Sequence, residues 1–177
     1  MINDKGKPIE RGNIKFHELK EMPDRSNEIT RATELKFGPF VFDQIDSPRA
    51  CSIVDRGPYE LDNGAIYHGQ WTEDGLREGK GTQIWMDGSK YVGYWKNDKA
   101  TGKGRLIHAD GDVYEGEWFS DKAQGRGTYE HADGAKYIGD WKNDRQHGYG
   151  IETWPDNARY EGNYEYGKKH NIGTFKW

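Results

Sequence analysis

The stretch "GKGRLIHADGDVYEGEW", residues 102–118, decides the fold. Its second half alternates: Tyr114, Gly116 and Trp118 fall on one side of an extended chain and Glu115 and Glu117 on the other, the side-chain period of a β-strand. The first half alternates likewise, and Ala109-Asp110-Gly111 stands between the two. That triplet fits a three-residue hairpin loop, a type I turn closed by a left-handed glycine that forms a bulge. The loop sets the register, and a slip of one residue would turn every side chain to the wrong face. Gly102 then faces Trp118, Gly104 faces Gly116 and Leu106 faces Tyr114. On the other face Arg105 meets Glu115 and Lys103 meets Glu117. Each such pair is worth about 0.2–1 kcal/mol, and these residues played no part in choosing the loop. The glycine opposite tryptophan is expected to leave room for the indole to lie across neighbouring backbone, and the charged face to be solvated.

The same pentad recurs four more times. Its pattern residues are Tyr67, Gly69 and Trp71; Tyr91, Gly93 and Trp95; Tyr114, Gly116 and Trp118; Tyr137, Gly139 and Trp141; and Tyr160, Gly162 and Tyr164. The starts are spaced 24 residues once and 23 residues three times, the signature of a stacked repeat array. A Gly-x-Gly follows each of the first four pentads, and in the last unit Asn171 takes the place of the first glycine. The hairpin loop returns as Met86-Asp87-Gly88, Ala132-Asp133-Gly134 and Pro155-Asp156-Asn157. The last variant keeps the chemistry, since proline suits the second position of a type I turn and asparagine is the best non-glycine at a left-handed site. "RGPYELDNG" at 56–64 shares its Arg-Gly, Tyr-Glu and closing Gly with "RGTYEHADG" at 126–134, so the array begins near Arg56 with a half-unit. The expected fold is all-β: an elongated, twisted, single-layer antiparallel sheet of stacked hairpins over 56–177, about eleven strands and on the order of 50 Å long. Residues 1–55 form a separate, mostly irregular extension that does not repeat.

Composition agrees with a thin structure. Only 33% of the 177 residues are hydrophobic and the mean hydropathy is −1.12, too polar for a thick core. Aromatic residues make up 14%, however, which a disordered chain would lack. Cys51 stands alone, so no internal disulfide is available, and no apolar run reaches the length of a membrane span. A cytoplasmic protein is expected. Residues 57–177 hold 16 Lys and Arg against 20 Asp and Glu. That acidic balance argues against nucleic acid as a partner and does not favour phospholipid.

No catalytic, metal-binding or cofactor-binding residues are expected. His108 and His131 occupy equivalent positions two strands apart, so their backbones lie about 9.6 Å from each other, too far to share a zinc ion at about 2.1 Å. His147 and His170 fail in the same way. Gly-x-Gly appears without a P-loop or GxGxxG context, and no Ser/His/Asp or Cys/His set stands out. Partner binding is the better expectation, because a single-layer sheet cannot bury both faces. The column Leu61, Trp85, His108, His131, Trp154 and Trp177, beside Tyr59, Leu106, Tyr129 and Phe175, either stays partly open to partners or packs on the rings of its own repeats. In "FGPFVFDQI" at 37–45, Phe37, Phe40, Phe42 and Ile45 are too apolar to leave in water. They are expected to cap the first sheet edge or to dock into another protein. The first 35 residues show no period, although Ile14 and Phe16 suit a short strand. "KNDKATGKG" at 96–104 and "KNDRQHGYG" at 142–150 read as long turns with a basic edge. The strand ending in "GTFKW" is expected to offer an open edge for a homodimer or a partner strand.

The Tyr-x-Gly-x-Trp pentad followed by Gly-x-Gly and Asp-Gly, five times in register over about 56–177, resembles the MORN repeat. The sequence is similar to multi-repeat MORN proteins of ciliated protists and, more distantly, to the radial spoke head MORN proteins. The resemblance implies a scaffold or protein-binding module without enzymatic activity, at work in the cytoskeleton or the ciliary axoneme. Its alternative implication is a peripheral adaptor that binds acidic phospholipid.

Overall fold

Among the described residues every strand pairs only with its neighbours in sequence, so the fold is a ribbon built hairpin by hairpin. The structure, a computed structural model, describes residues 17–42 and 52–177. Strand β1 (His17–Glu18) and helix α1 (Glu28–Phe37) precede the array. The array comprises β2 (Ile53–Glu60), β3 (Ile66–Thr72), β4 (Arg77–Ile84), β5 (Lys90–Lys96), β6 (Lys99–Ile107) and β7 (Val113–Phe119). It continues with β8 (Lys122–Glu130), β9 (Lys136–Lys142), β10 (Arg145–Thr153), β11 (Arg159–Glu165) and β12 (Lys168–Lys176). Register follows the charges: Gly102 faces Trp118, Lys103 faces Glu117 and Arg105 faces Glu115. In the next unit Arg126 faces Asp140 and Glu130 faces Lys136.

Two turn types alternate along the edges. At one edge the three-residue loop closes as expected, with the His108 amide donating to the Asp112 carbonyl at 2.8 Å and Gly111 at φ 94°. Asn157 takes the same left-handed site at φ 67°. At the other edge the stretches expected to be long turns are tight ones. Asn97-Asp98, Ser120-Asp121, Asn143-Asp144 and Tyr166-Gly167 all have positive φ at both positions, the type I′ geometry that matches strand twist. The residues after them continue the strand through a bulge, where Gly102 has φ 99° and its counterpart Asn171 has φ 54°. Asparagine therefore replaces glycine in the last unit without losing the left-handed backbone. Only the first repeat differs: it closes through Glu73-Asp74-Gly75, with Thr72 donating to the Leu76 carbonyl. That three-residue loop in place of two accounts for the single 24-residue spacing. Successive turns are also latched. Asp144 Oδ1 accepts the Ala123 amide at 2.7 Å while the Asp144 amide donates to the Ala123 carbonyl at 3.0 Å.

The glycines work differently from the expectation. Their space is filled by tyrosine, not tryptophan: a β-carbon built on Gly104 or Gly127 would lie 2.5 Å from the Cζ of Tyr91 or Tyr114. Each tyrosine lies over the next strand's glycine and donates to a carbonyl three residues on, as Tyr91 does to Tyr94 at 2.9 Å and Tyr114 to Glu117 at 2.8 Å. The tryptophan stands edge-on against it and donates Nε1 to the carbonyl of the second glycine, Trp95 to Gly81, Trp118 to Gly104 and Trp141 to Gly127. Tyr91 thus contacts Trp95 of its own repeat at 5.1 Å and Trp118 of the next at 5.3 Å. The ladder continues through Tyr114, Trp141, Tyr137 and Tyr164.

The opposite face is not uniformly charged and solvated. Across strands β3 to β7 its outermost row reads Ile66, Ile84, Lys90, Ile107, Val113, and beyond that Glu130, Lys136, Thr153, Arg159. The four aliphatic members are buried. Residues 22–42 lie over this apolar part of the row, and α1 sits in a stretch expected to be irregular. Asn27 and Thr30 cap the helix reciprocally, at 2.8 and 3.0 Å, and Gly38 ends it at φ 69°. The helix escapes a periodicity search because Thr30 is its one buried residue while Leu35 is 81% exposed. The first array edge is covered by β1, which pairs His17 with Glu60 and Glu18 with Tyr59, and not by the phenylalanines. Ile14, Phe16 and Ile45 lie outside the described residues.

Gly127→Ala forces a methyl into the Tyr114 ring, and overpacking of this kind costs about 1–3 kcal/mol. Urea unfolding should show that loss for Gly127→Ala and little change for Asn157→Gly, whose backbone already holds a left-handed conformation. Equal stabilities for Gly127→Ala and wild type would rule out the tyrosine-over-glycine account.

Candidate functional site

On the aromatic face the candidate column divides into three groups. At its start Tyr59 and Leu61 are buried, while Trp85 and Leu106 pack against that cluster half-exposed. Between them opens a groove of about 410 Å³ floored by Trp85, Leu106 and Trp118 and rimmed by Asp62, Asn63 and Asp121. Arg77 forms one wall. Its Nε donates to Asp98 Oδ1 at 2.7 Å, a second nitrogen reaches Gln83, and its guanidinium lies 4.5 Å over the Trp95 ring. The wall is therefore held in place with its charge compensated by Asp98, and the carboxylates at the rim are those of Asp62 and of Asp121, which accepts the Ala100 amide at 2.8 Å.

In the middle of the column the rings form a polar cluster. Tyr129 contacts the ring of His131 at 4.7 Å and that of His108 at 6.2 Å, and its hydroxyl donates to Asp112 Oδ2 at 2.7 Å. His131 Nδ1 lies 3.4 Å from the same carboxylate, and the Ala132 amide donates to its other oxygen. Burial opposes ionisation of Asp112, but the bonds from Ala132 and Tyr129 and the charge of His131 outweigh it and hold the carboxyl below its usual range. The two equivalent histidines thus flank a tyrosine. Among the described residues no group of three His, Cys, Asp or Glu is placed to hold a metal ion.

At the end of the column Trp154 stacks on Phe175 at 5.5 Å, and Phe175 contacts Trp177 at 4.7 Å. Lys169 lies over the rings of Trp154 at 5.2 Å and Tyr160 at 4.9 Å, and pairs with Glu152 at 2.7 Å. Phe175 is 43% exposed and Trp177 95% exposed.

Phe37, Phe40 and Phe42 are not part of this face. They lie on the opposite one, where Arg105 is within 6 Å of the Phe37 and Phe40 rings and Phe42 meets Tyr94 edge-on at 5.3 Å. Sequence reasoning gave no role to Arg105 beyond its pairing with Glu115. In the structure it is buried and also donates to the Gly38 carbonyl at 2.6 Å.

The pentads and glycines, read with this geometry, identify the repeat. The family model of the MORN repeat matches residues 67–90, 91–113, 114–136, 137–159 and 160–177. The chain belongs to the MORN-repeat family. MORN arrays are interaction modules for proteins or membranes, and the repeat itself is not a catalytic unit. No curated protein matches this one in sequence. Among solved structures, the SAS-4 (dCPAP) TCP domain of Drosophila melanogaster in complex with a proline-rich motif of Ana2 (dSTIL) is 12% identical with a TM-score of 0.34. The alignment covers 70% of this MORN protein and 85% of that chain, and a likeness at that score carries no argument. No helix among the described residues is long and apolar enough to cross a membrane.

Burial raises the hydroxyl pKa values of the ladder tyrosines Tyr67, Tyr91, Tyr114 and Tyr137 well above normal. An unfolded tyrosine titrates at about 10, so the unfolded chain releases its protons first. Stability is intact below that pH and falls as pH rises beyond it toward the folded values. The tyrosinate absorbance of the ladder rings and the strand circular dichroism should change together in one cooperative alkaline step. Titration of all the tyrosines near pH 10 with the dichroism unchanged would show that the ladder rings are not buried in solution.

Proposed function

We propose that this MORN array is a non-enzymatic scaffold that binds partner proteins along its aromatic face, within a cytoskeletal assembly such as the ciliary axoneme. One observation carries the reading. Trp85, Leu106 and Trp118 form an apolar groove floor inside a rim of Asp62, Asn63 and Asp121, where aromatic side chains can anchor a partner. The rim suits an extended peptide whose apolar residue is flanked by lysine or arginine. The axonemal setting rests on the family resemblance alone. The acidic rim and the acidic array count against anionic lipid as the ligand of this face.

A phage-displayed peptide screen against the full chain tests this. Selected peptides should share an apolar residue between basic ones and bind one to one by calorimetry. They should weaken at least about tenfold, or 1.4 kcal/mol, in Trp85→Ala and more sharply at low salt in Asp62→Lys. Peptides that bind Trp85→Ala unchanged would remove the groove from the reading. Pelleting with anionic vesicles that is insensitive to Trp85→Ala would replace the scaffold with a membrane adaptor.

A further inference from the structure

The second face of the first three repeats is built to receive a helix and the aromatic turn that follows it, and in this structure residues 23–42 fill it. Five side-chain ties hold the segment, the first from an Arg25 guanidinium nitrogen to the Gly64 carbonyl. Asn27 Nδ2 donates to the Ala109 carbonyl at 3.0 Å, and Lys90 pairs with Glu34 at 2.5 Å. Lys36 pairs with Glu130, and Arg105 donates to the Gly38 carbonyl at 2.6 Å. Phe42 then rests on Tyr94 with Lys80 above its ring. The receiving surface is specific to these repeats, because the row of Ile66, Ile84, Ile107 and Val113 gives way to Glu130 and Lys136 where the cover ends.

The cover fits this surface loosely. A cavity of about 390 Å³ remains between segment and sheet, bounded by Arg25, Thr30 and Glu34 above and Thr82, Ile84 and Ile107 below. Helix α1 turns only Thr30 fully inward, while Ile29 is 52%, Leu35 81% and Val41 72% exposed. Helices this short are marginal without packing, and the ion pairs are partly open to water on the segment's side, with Lys36 63% and Glu34 37% exposed against Glu130 15% and Lys90 31%, where such pairs contribute modestly. By contrast the surface beneath is preformed: strands β3 to β7 are held by their own ladder and the Tyr-Trp rings of the other face.

From this we infer that the second face of repeats 1 to 3 is a protein-docking site, distinct from the aromatic groove, for a ligand chain with the chemistry of residues 23–42. The ligand is a short, polar, capped helix with an acidic residue placed for Lys90, a terminal carbonyl for Arg105 and a following aromatic for Tyr94. Residues 23–42 occupy the site as an exchangeable ligand in cis. A partner helix binds by displacing them, and its apparent affinity is reduced by the fraction of chains in which the site is closed.

The test uses the full chain and a fluorescent synthetic peptide of residues 23–42. Two variants loosen the cover without touching the sheet. Gly38→Ala is strained because the residue has φ 69°, although a β-carbon there would meet nothing within 4 Å, and Phe42→Ala removes the contact with Tyr94. The peptide should bind both variants about tenfold more tightly than wild type. In native-state hydrogen exchange the α1 amides should exchange well before those of β5 and β6. Binding that is equal in all three chains, or absent from all, would overturn the inference. So would α1 amides that exchange only with global unfolding. Because Trp85→Ala leaves this face untouched, it should not alter peptide binding, which separates this site from the groove.

Discussion

The whole ribbon depends on one contact, a tyrosine ring laid on the glycine of the adjacent strand. A sheet one layer thick has no second sheet to pack against, yet Tyr67 is fully buried and Tyr91, Tyr114 and Tyr137 nearly so. Glycine makes this possible because the ring can descend onto bare backbone, where its edge displaces water from both peptide groups. The hydroxyl then satisfies itself on the carbonyl three residues ahead, so the burial leaves no polar atom stranded. Tryptophan closes the remaining flank, with edge-to-face geometry between 4.8 and 5.3 Å through the first three repeats. Such pairs are worth about 0.5–1.5 kcal/mol beyond the area they bury. The core of this protein is therefore a line of alternating rings.

That contact also makes the ribbon modular. Tyr67, Tyr91 and Tyr114 each touch the tryptophan of their own repeat and that of the next, Tyr164 takes the tryptophan's place for Tyr137, and the turn aspartates Asp98, Asp121 and Asp144 are bonded to the turn before them. Stability is carried by nearest-neighbour terms, as in other linear arrays. A repeat can then vary its second face freely, since nothing in the ring ladder depends on it. The shift from isoleucine and valine to glutamate, lysine and arginine along one row of that face shows this freedom in use.

Register, strand number and hairpin loops were legible because independent signals coincided on them: the Asp-Gly loop, the period and the cross-strand charges all gave the same pairing for Lys103, Arg105 and Arg126. The role of the glycines was half legible. Spacing shows that a ring must sit on them, but Gly102 opposite Trp118 suggested the indole, and only the three-dimensional tilt assigns the space at Gly104 to Tyr91. The type I′ turns were misread as long because Lys96 to Gly104 contains a bulge, which hides a strand inside an irregular-looking run. Helix α1 was missed for a different reason. Asn27, Thr30, Gly38 and Pro39 are sound stop and start signals, but the helix between them has no apolar stripe to reward. Its inward residue is a threonine and its leucine points to solvent.

The two faces consequently present different chemistry. The aromatic face has its floor fixed by the ladder, so what varies between repeats is the outer column: Trp85 opens a groove, His108 and His131 close around Tyr129 and Asp112, and Trp154 is roofed by Lys169. Specificity along this face must come from the column, because the ladder beneath is the same in every repeat. On the second face the backbone is equally rigid, but in the first repeats the apolar residues are covered by a segment that leaves a cavity behind it. A rigid surface under a loosely fitted cover favours exchange, since the sheet loses none of its own contacts when the cover leaves. Opening costs a few partly solvated ion pairs, the bonds of Arg25 to Gly64, Asn27 to Ala109 and Arg105 to Gly38, the ring contacts of Phe37, Phe40 and Phe42, and the exposure of the aliphatic row beneath. The thinness of the MORN sheet, which looks like a weakness in a fold without a second layer, is what leaves both faces free to be used separately.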